Sequence, residues 1–335
     1  MIFLLAYACN NQPTTALFRE QAVRVTDMHL HTGNWENIAP KSQSYLASFF
    51  PFPFGLSPET LVEQTLSPEG VISELDKAGI ESGILFATYA PRSVGVATND
   101  FVESNVKFDT SRLYGLSSLS VEQWEINGEA QLEALEQSLE NPSMIGVKLA
   151  HTHQHFRMDD PTYYDIYVVA AAHNAPVYLH TGPSPFLGTK TEAPYIDPNY
   201  LEEAISEHPE TDFILGHLGF DFEVREHRWL MDCIRLAETY QNVWLEPSAL
   251  GSSTSDPTGE VLIESYTKIQ QAGLVDRIIY GSDGPQRPGF LSEYLERSII
   301  AMEASGYSLE EAQLVLQDNS IRAFGLSAED SGGLE

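Results

Sequence analysis

The sequence predicts a single-domain α/β protein, a (β/α)8 TIM barrel with an extra C-terminal helix, and three observations carry that expectation. Short apolar runs rich in Val and Ile alternate with longer helical patterns along the whole chain. There are eight such runs, the number a closed parallel barrel takes. Polar, chemically capable residues stand at the ends of runs from all parts of the chain, whereas a doubly wound open sheet gathers them near one switch point.

The strands are expected over residues 23–31, 79–89, 113–120, 145–152, 176–182, 212–219, 242–248 and 277–283. Helical crossovers fall between them: Ser67-Pro68-Glu69-Gly70 opens a helix over 71–78, Asp197-Pro198 opens one over 200–208, and amphipathic spacing marks 223–240. The extra helix spans 308–326. The long connection after the first strand, 32–56, carries Trp35, Tyr45, Phe49, Phe50, Phe52 and Phe54 with Pro40, Pro51 and Pro53. It reads equally as a pocket wall or lid and as a loop packed on its own aromatics. Residues 1–20 are assigned to a signal remnant or tether, 21–326 to the barrel and 327–335 to a disordered tail.

The chain has 335 residues, 42% of them hydrophobic, enough for a sizeable core without disulfide support. Eighteen Lys and Arg against 48 Asp and Glu leave a net charge of -30, which repels phosphate backbones and argues against nucleic acid as a partner. The excess acid is expected on the outer helices. Two cysteines, Cys9 and Cys233, are too few for a disulfide framework or a CxxC zinc site. The run MIFLLAYA before Cys9, followed by a polar stretch, resembles the end of a bacterial lipoprotein signal, although it lacks a basic residue and is short. It points to a lipid anchor at Cys9 and a periplasmic or cell-envelope protein, against a cytoplasmic alternative in which the run packs on the domain.

The strongest local signal is Asp27-Met28-His29-Leu30-His31 at the end of the first strand. Residues two apart in a strand share a face, so His29 and His31 both point into the barrel mouth, where they can share one metal ion. His180, His217 and Asp283 end the fifth, sixth and eighth strands. A lone histidine is most often a satisfied core residue, but several at the one rim where barrel enzymes do chemistry mark a metal or acid–base set. Lys148 ends the fourth strand, with His151, His153 and His155 after it, His151 being the best placed to reach substrate. Arg92 and Arg287 stand out in a chain poor in cations, and each can clamp a carboxylate. Glu246 ends the seventh strand as a weaker candidate that reads also as a loop anchor. His173, His208 and His227 fall within or at the ends of helices and read as structural.

From Val25 to Leu326 the segments DMHLHTG, IGVKLAHTHQHF followed by DDP, PVYLHTG, FILGHLG, NVWLEPSA, IIYGSDGP and DNSIRAFGL occur in an order that resembles the amidohydrolase superfamily, within it the amidohydrolase-related branch of metal-dependent hydrolases and decarboxylases. The resemblance implies that His29, His31 and His180 bind a divalent metal, zinc with manganese as the alternative, and that Asp283 is both ligand and proton acceptor. His217 then binds a second metal or polarises substrate. Lys148 matches the carbamylated lysine that bridges two ions in binuclear members; otherwise it pairs, unmodified, with Asp283 or a substrate carboxylate. One ion is the main expectation.

Metal-activated water attacking a carbonyl, with Asp283 moving the proton and His217 stabilising the oxyanion, makes the chain a hydrolase of a small-molecule amide, lactone or ester. The alternative is nonoxidative decarboxylation of a carboxylated aromatic or enoic acid. A non-catalytic surface binding protein would show a missing ligand, and none is missing. A homo-oligomer is compatible with everything above.

Overall fold

The computed structural model describes residues 14–48 and 57–326. Cys9 and its flanking run, the aromatics of 49–56 and the tail 327–335 lie outside the described residues. Seven parallel strands form one curled sheet: β1 Thr26–His31, β2 Ser82–Phe86, β3 Leu113–Ser117, β4 Met144–Leu149, β5 Val177–His180, β6 Phe213–Gly216 and β7 Val243–Glu246. They pair in chain order from β1 to β7. The crossovers are α1 Pro68–Ala78, α2 Asn99–Val106, α3 Trp124–Leu139, α4 Asp165–Ala172, α5 Glu202–Glu207, α6 Leu230–Thr239, α7 Glu260–Gln271 and, after the closing segment, α8 Phe290–Ala304. The arrangement is the TIM barrel that the alternation of runs predicts.

The eighth strand is the main departure. Residues 277–283 do not form a ladder; the chain there closes the barrel through single bridges, Ile278 to Leu245 of β7 and Gly284 to Leu30 of β1. Its N–H groups go to separate acceptors. Tyr280 donates to the Val315 carbonyl, Ser282 to the Asp27 carboxylate and Asp283 to the His29 carbonyl. Gly281 has to be glycine, because a Cβ would lie 2.1 Å from Glu246 Oε1. The segment gives up regular pairing to pass close to that side chain.

Other elements shift for local reasons. The helix expected over 223–240 begins only at Leu230, because Asp221 accepts from the backbone of Glu223 and Val224 and turns the chain into a small hairpin, Phe220–Asp221 with Glu226–His227. His227 therefore sits on a hairpin rather than a helix, near the Val261 carbonyl and Ser265. The helix expected over 200–208 is a 3-10 turn, Pro198–Leu201, running into α5. His173 and His208 sit at helix C-termini as expected. Residues 14–20 pack onto the folded body: Leu17–Phe18 pairs with Gln21–Ala22, and Phe18 has no exposed surface. In the long connection, Pro40–Ser48 is helical.

Two cores result. Apolar residues outside the sheet pack against the helices, while Met28, Ile84, Phe86, Leu116, Tyr178, Ile214 and Ile279 fill the barrel. The C-terminal helix starts at Ser308 with a reciprocal capping box to Glu311 and contains a π turn, Leu314–Asp318. Its end, Asn319–Phe324, brings Ala323 and Phe324 into the interior core and so plugs the end of the barrel opposite the strand C-termini. Part of the acid lies on an outer helix: Glu125, Glu129, Glu133 and Glu136 of α3 are all exposed. Phe324→Ala is expected to cost about 3 kcal/mol, measured by urea unfolding, with the slope unchanged.

Candidate metal centre

A bulge builds the first half of the site. Thr26 and Asp27 of β1 pair with Ser82 and Gly83, but Leu30 and His31 pair with Leu85 and Phe86, so Met28 and His29 together face the single Ile84. The extra residue turns Met28 into the core and leaves both His29 and His31 at the mouth. His29 is fully buried, stacked on Phe86 at 4.3 Å between ring centroids.

The second half comes from the closing segment. Asp283 Oδ1 lies 3.0 Å from His29 Nε2 and 2.9 Å from His31 Nε2, and Gln286 Nε2 donates to Oδ2 at 3.2 Å. Asp283 Oδ1 is hydrogen-bonded to His31 Nε2, while the contact to His29 lacks the direction of a hydrogen bond and leaves His29 Nε2 buried without a partner. One ligand atom from each lies within 4.8 Å of the other two. Two imidazoles and a carboxylate in that arrangement are a donor set for a divalent transition metal. His180 stands at the same mouth, its Nε2 buried without a hydrogen-bond partner, but outside that 4.8 Å group.

Behind this cluster is a network that the sequence shows only as a strand-end acid. Glu246 is completely buried and accepts from His29 Nδ1 at 3.1 Å and from Ser248 Oγ at 2.8 Å. Its carboxylate puts the His29 proton on Nδ1 and leaves the Nε2 lone pair facing Asp283. Ser248 also ties His217: its carbonyl lies 3.1 Å from His217 Nδ1 and its hydroxyl 3.0 Å. Tyr178 OH reaches His217 Nε2 at 3.3 Å and Glu246 Oε2 at 3.4 Å. A Cβ on Gly216 would meet that hydroxyl at 1.8 Å, which is why the sixth strand ends in glycine before His217.

The electrostatics suit metal binding. Burial pushes His217 down to about 4 and His153 to about 3, and holds His180 well below the usual imidazole range, so all three are neutral near pH 7. Burial pulls His29 the same way, but Asp283 and Glu246 outweigh it and raise it. For Asp283, burial is outweighed by His29 and His31, which keep it well below the carboxylate range. Lys148, pushed down to about 7 by burial against the pull of Asp283 and Glu246, does not form the ion pair with Asp283. Its ammonium lies 3.9 Å from the Tyr178 ring centroid and 4.9 Å from that of Phe86.

The cavity over these groups measures about 210 Å³ and is lined by His31, Lys148, His153, His180, His217 and Asp283, with Asn37, Ile38, Ser42 and Tyr45 of the long connection as part of its wall. The three residues expected to bind substrate do not line it. Arg92 is half exposed and pairs with Glu122 at 2.9 Å, next to His155. Arg287 pairs with Glu293. His151 is buried against Phe156, because the chain after β4 makes one helical turn, His151–Gln154, that carries His153 into the cavity instead. Ser93 holds His153 Nδ1 at 2.8 Å.

The sequence model of the amidohydrolase family matches residues 81–326. The chain belongs to the amidohydrolase family. The matched segment starts after β1, so His29 and His31 stand outside it, while His180, His217 and Asp283 fall within it. No curated protein matches this amidohydrolase. Among solved structures it is similar to an uncharacterised TIM-barrel protein from Bordetella bronchiseptica, at 17% identity over 93% of this chain and 100% of that one with a TM-score of 0.67. It is also similar to a probable 2-pyrone-4,6-dicarboxylic acid hydrolase from Acinetobacter baumannii with citric acid bound, at 18% identity, 90% and 99% coverage and a TM-score of 0.60. A dihydroxybenzoic acid decarboxylase from Polaromonas with bound manganese and the inhibitor 2-nitroresorcinol aligns at 17% identity, 92% and 99% coverage and a TM-score of 0.62. At these identities the likeness is one of fold, and the fold hosts both hydrolysis and decarboxylation.

Glu246→Gln keeps the shape but weakens the hold on His29, and is expected to lower divalent-metal affinity by about 10- to 100-fold, measured by competition with a chromophoric chelator. Because Asp283 and Glu246 raise His29, a proton competes with the metal for its Nε2, so affinity in the native protein falls as pH is lowered through the His29 titration.

Proposed function

We propose that this amidohydrolase is a metal-dependent hydrolase that cleaves an amide, lactone or ester bond of a small molecule with water. The observation that carries the reading is the convergence of His29, His31 and Asp283 at the floor of the cavity, with neutral His217 beside them. His29, His31 and Asp283 would hold the ion, zinc or manganese, with His180 joining them. A divalent ion there supplies a Lewis acid and a water of lowered pKa.

The chain's own residues divide the proton work. Asp283 is ionised, with Oδ1 toward the histidines and Oδ2 steadied by Gln286, so it accepts a proton from water and returns it to the leaving group. His217 carries its proton on Nδ1, facing the Ser248 carbonyl, and presents Nε2 as an acceptor. That network suits orienting a water or holding a second ion better than donating to an oxyanion, the role expected from the sequence. Tyr178 fixes the ring of His217, and the apolar walls exclude bulk water.

Decarboxylation on the same scaffold is the rival, and the product separates the two. Metal-loaded protein with a panel of lactones, esters and amides in a pH-stat, under carbon dioxide detection, is expected to release acid without carbon dioxide. Asp283→Asn is expected to lower kcat by about a thousandfold. Carbon dioxide from carboxylated aromatics, with no acid released from the panel, would assign the rival reaction.

A further inference from the structure

His217 has no N–H left for substrate: its Nδ1 faces the Ser248 carbonyl at 3.1 Å and its Nε2 the Tyr178 hydroxyl at 3.3 Å. The donor role expected of it passes elsewhere. The helical turn after β4 brings another imidazole to the cavity lining, His153. Its ring stands at 89° to that of His180 with 5.2 Å between centroids, and His180 lies 4.5 Å from His217.

Which nitrogen of His153 carries the proton follows from Ser93. The Ser93 hydroxyl is fully buried and has one partner among the described residues, His153 Nδ1 at 2.8 Å. Were Nδ1 to donate to Ser93 Oγ, the hydroxyl proton would be left buried without an acceptor, the costlier arrangement. Ser93 therefore donates, Nδ1 accepts, and the ring proton sits on Nε2. That nitrogen has no partner among the described residues and is not enclosed as the Nε2 of His180 is, so its N–H is open to the cavity.

Both residues are held before any ligand arrives. The Ser93 N–H donates to the Ala90 carbonyl at 3.1 Å, and the Ser93 carbonyl accepts from Ser42 Oγ at 2.8 Å. The turn that carries His153 is pinned on two sides. Gln154 accepts from the Ala150 N–H at 2.6 Å and donates to the Leu119 carbonyl at 2.8 Å, while Thr152 exchanges two hydrogen bonds with the Lys190 backbone. A donor fixed this way needs no reorganisation when charge develops on an oxygen facing it.

We infer that His153 is a catalytic residue, donating a hydrogen bond from Nε2 to the substrate oxygen that becomes negative as water adds, with Ser93 as the positioning residue that fixes its tautomer. The proton stays on Nε2 throughout, while Asp283 moves the proton of the water. The inference rests on the hydrolase reading only for naming that oxygen as the carbonyl oxygen of the bond that is cut. The tautomer and the contact with a ligand oxygen do not depend on it.

Nitrogen-15 NMR of the zinc-loaded protein, with the His153 signals identified by their absence from His153→Phe, reads the tautomer directly. Native protein is expected to show Nε2–H, and Ser93→Ala a mixture of the two tautomers. With phenyl acetate and dihydrocoumarin as substrates, His153→Phe is expected to lower kcat about 100-fold, with KM within about threefold and zinc content unchanged. His153→Gln, whose amide still donates, is expected to recover part of that loss, and Ser93→Ala to lose about tenfold. Benzohydroxamate, a zinc ligand whose oxygens accept hydrogen bonds, is expected to bind native protein at least about tenfold more tightly than His153→Phe. An Nδ1–H tautomer in native protein, full kcat in His153→Phe, or benzohydroxamate binding that is absent or indifferent to His153 would overturn the inference. So would loss of zinc from both His153 variants, which would place the residue in the metal centre. Benzohydroxamate binding that depends on His153, in a native protein that hydrolyses no ester or lactone, would leave the donor standing and remove the hydrolase reading.

Discussion

Glu246 and Asp283 grip the His29 imidazole from opposite edges, with the ring fully buried between them. Two carboxylates this close to each other, one of them fully buried, are costly unless positive charge lies between them. His29, a divalent ion, or both supply it. Much of the local architecture follows from accommodating that pair. Gly281 lacks a Cβ where Glu246 reaches His29, and the closing segment, held to β1 and β7 by single bridges and separate backbone hydrogen bonds, brings Asp283 over the two histidines. The bulge in β1 keeps His29 and His31 at the mouth while Met28 still fills the barrel.

Around this pair the barrel separates two tasks. The end plugged by Phe324 is apolar and serves stability, while the strand C-termini carry the groups that act. Ser248 links them, since one hydroxyl touches Glu246, His29 and His217. A change at any of these residues therefore reaches both the metal side and the His217 side of the cavity. Couplings of this sort are not additive, and single substitutions will not divide the site into independent contributions.

The seven regular strands and their crossovers are legible in the sequence because each is a local apolar run. So is the pairing of His29 with His31 at the end of the first strand, but the bulge that keeps both at the mouth while Met28 turns inward is not. The closing segment is not legible as irregular, because what disrupts it is Glu246, Asp27 and Val315, all distant in the chain. His151 and His153 cannot be told apart without the helical turn after β4. Arg92 looks free in sequence, yet Glu122 from the next loop claims it. The role of Glu246 was equally hidden: a strand-end acid shows its position but not the histidine 217 residues earlier that it holds.

The claim on which the rest depends is that His29, His31 and Asp283 form a metal centre. Equilibrium dialysis against zinc and against manganese, followed by elemental mass spectrometry of native protein and of Asp283→Asn, tests it most directly. The structure predicts about one tightly held ion per chain in the native protein, lost in the variant. Native protein that retains neither metal, or a variant that retains it as well as the native chain, would contradict the assignment.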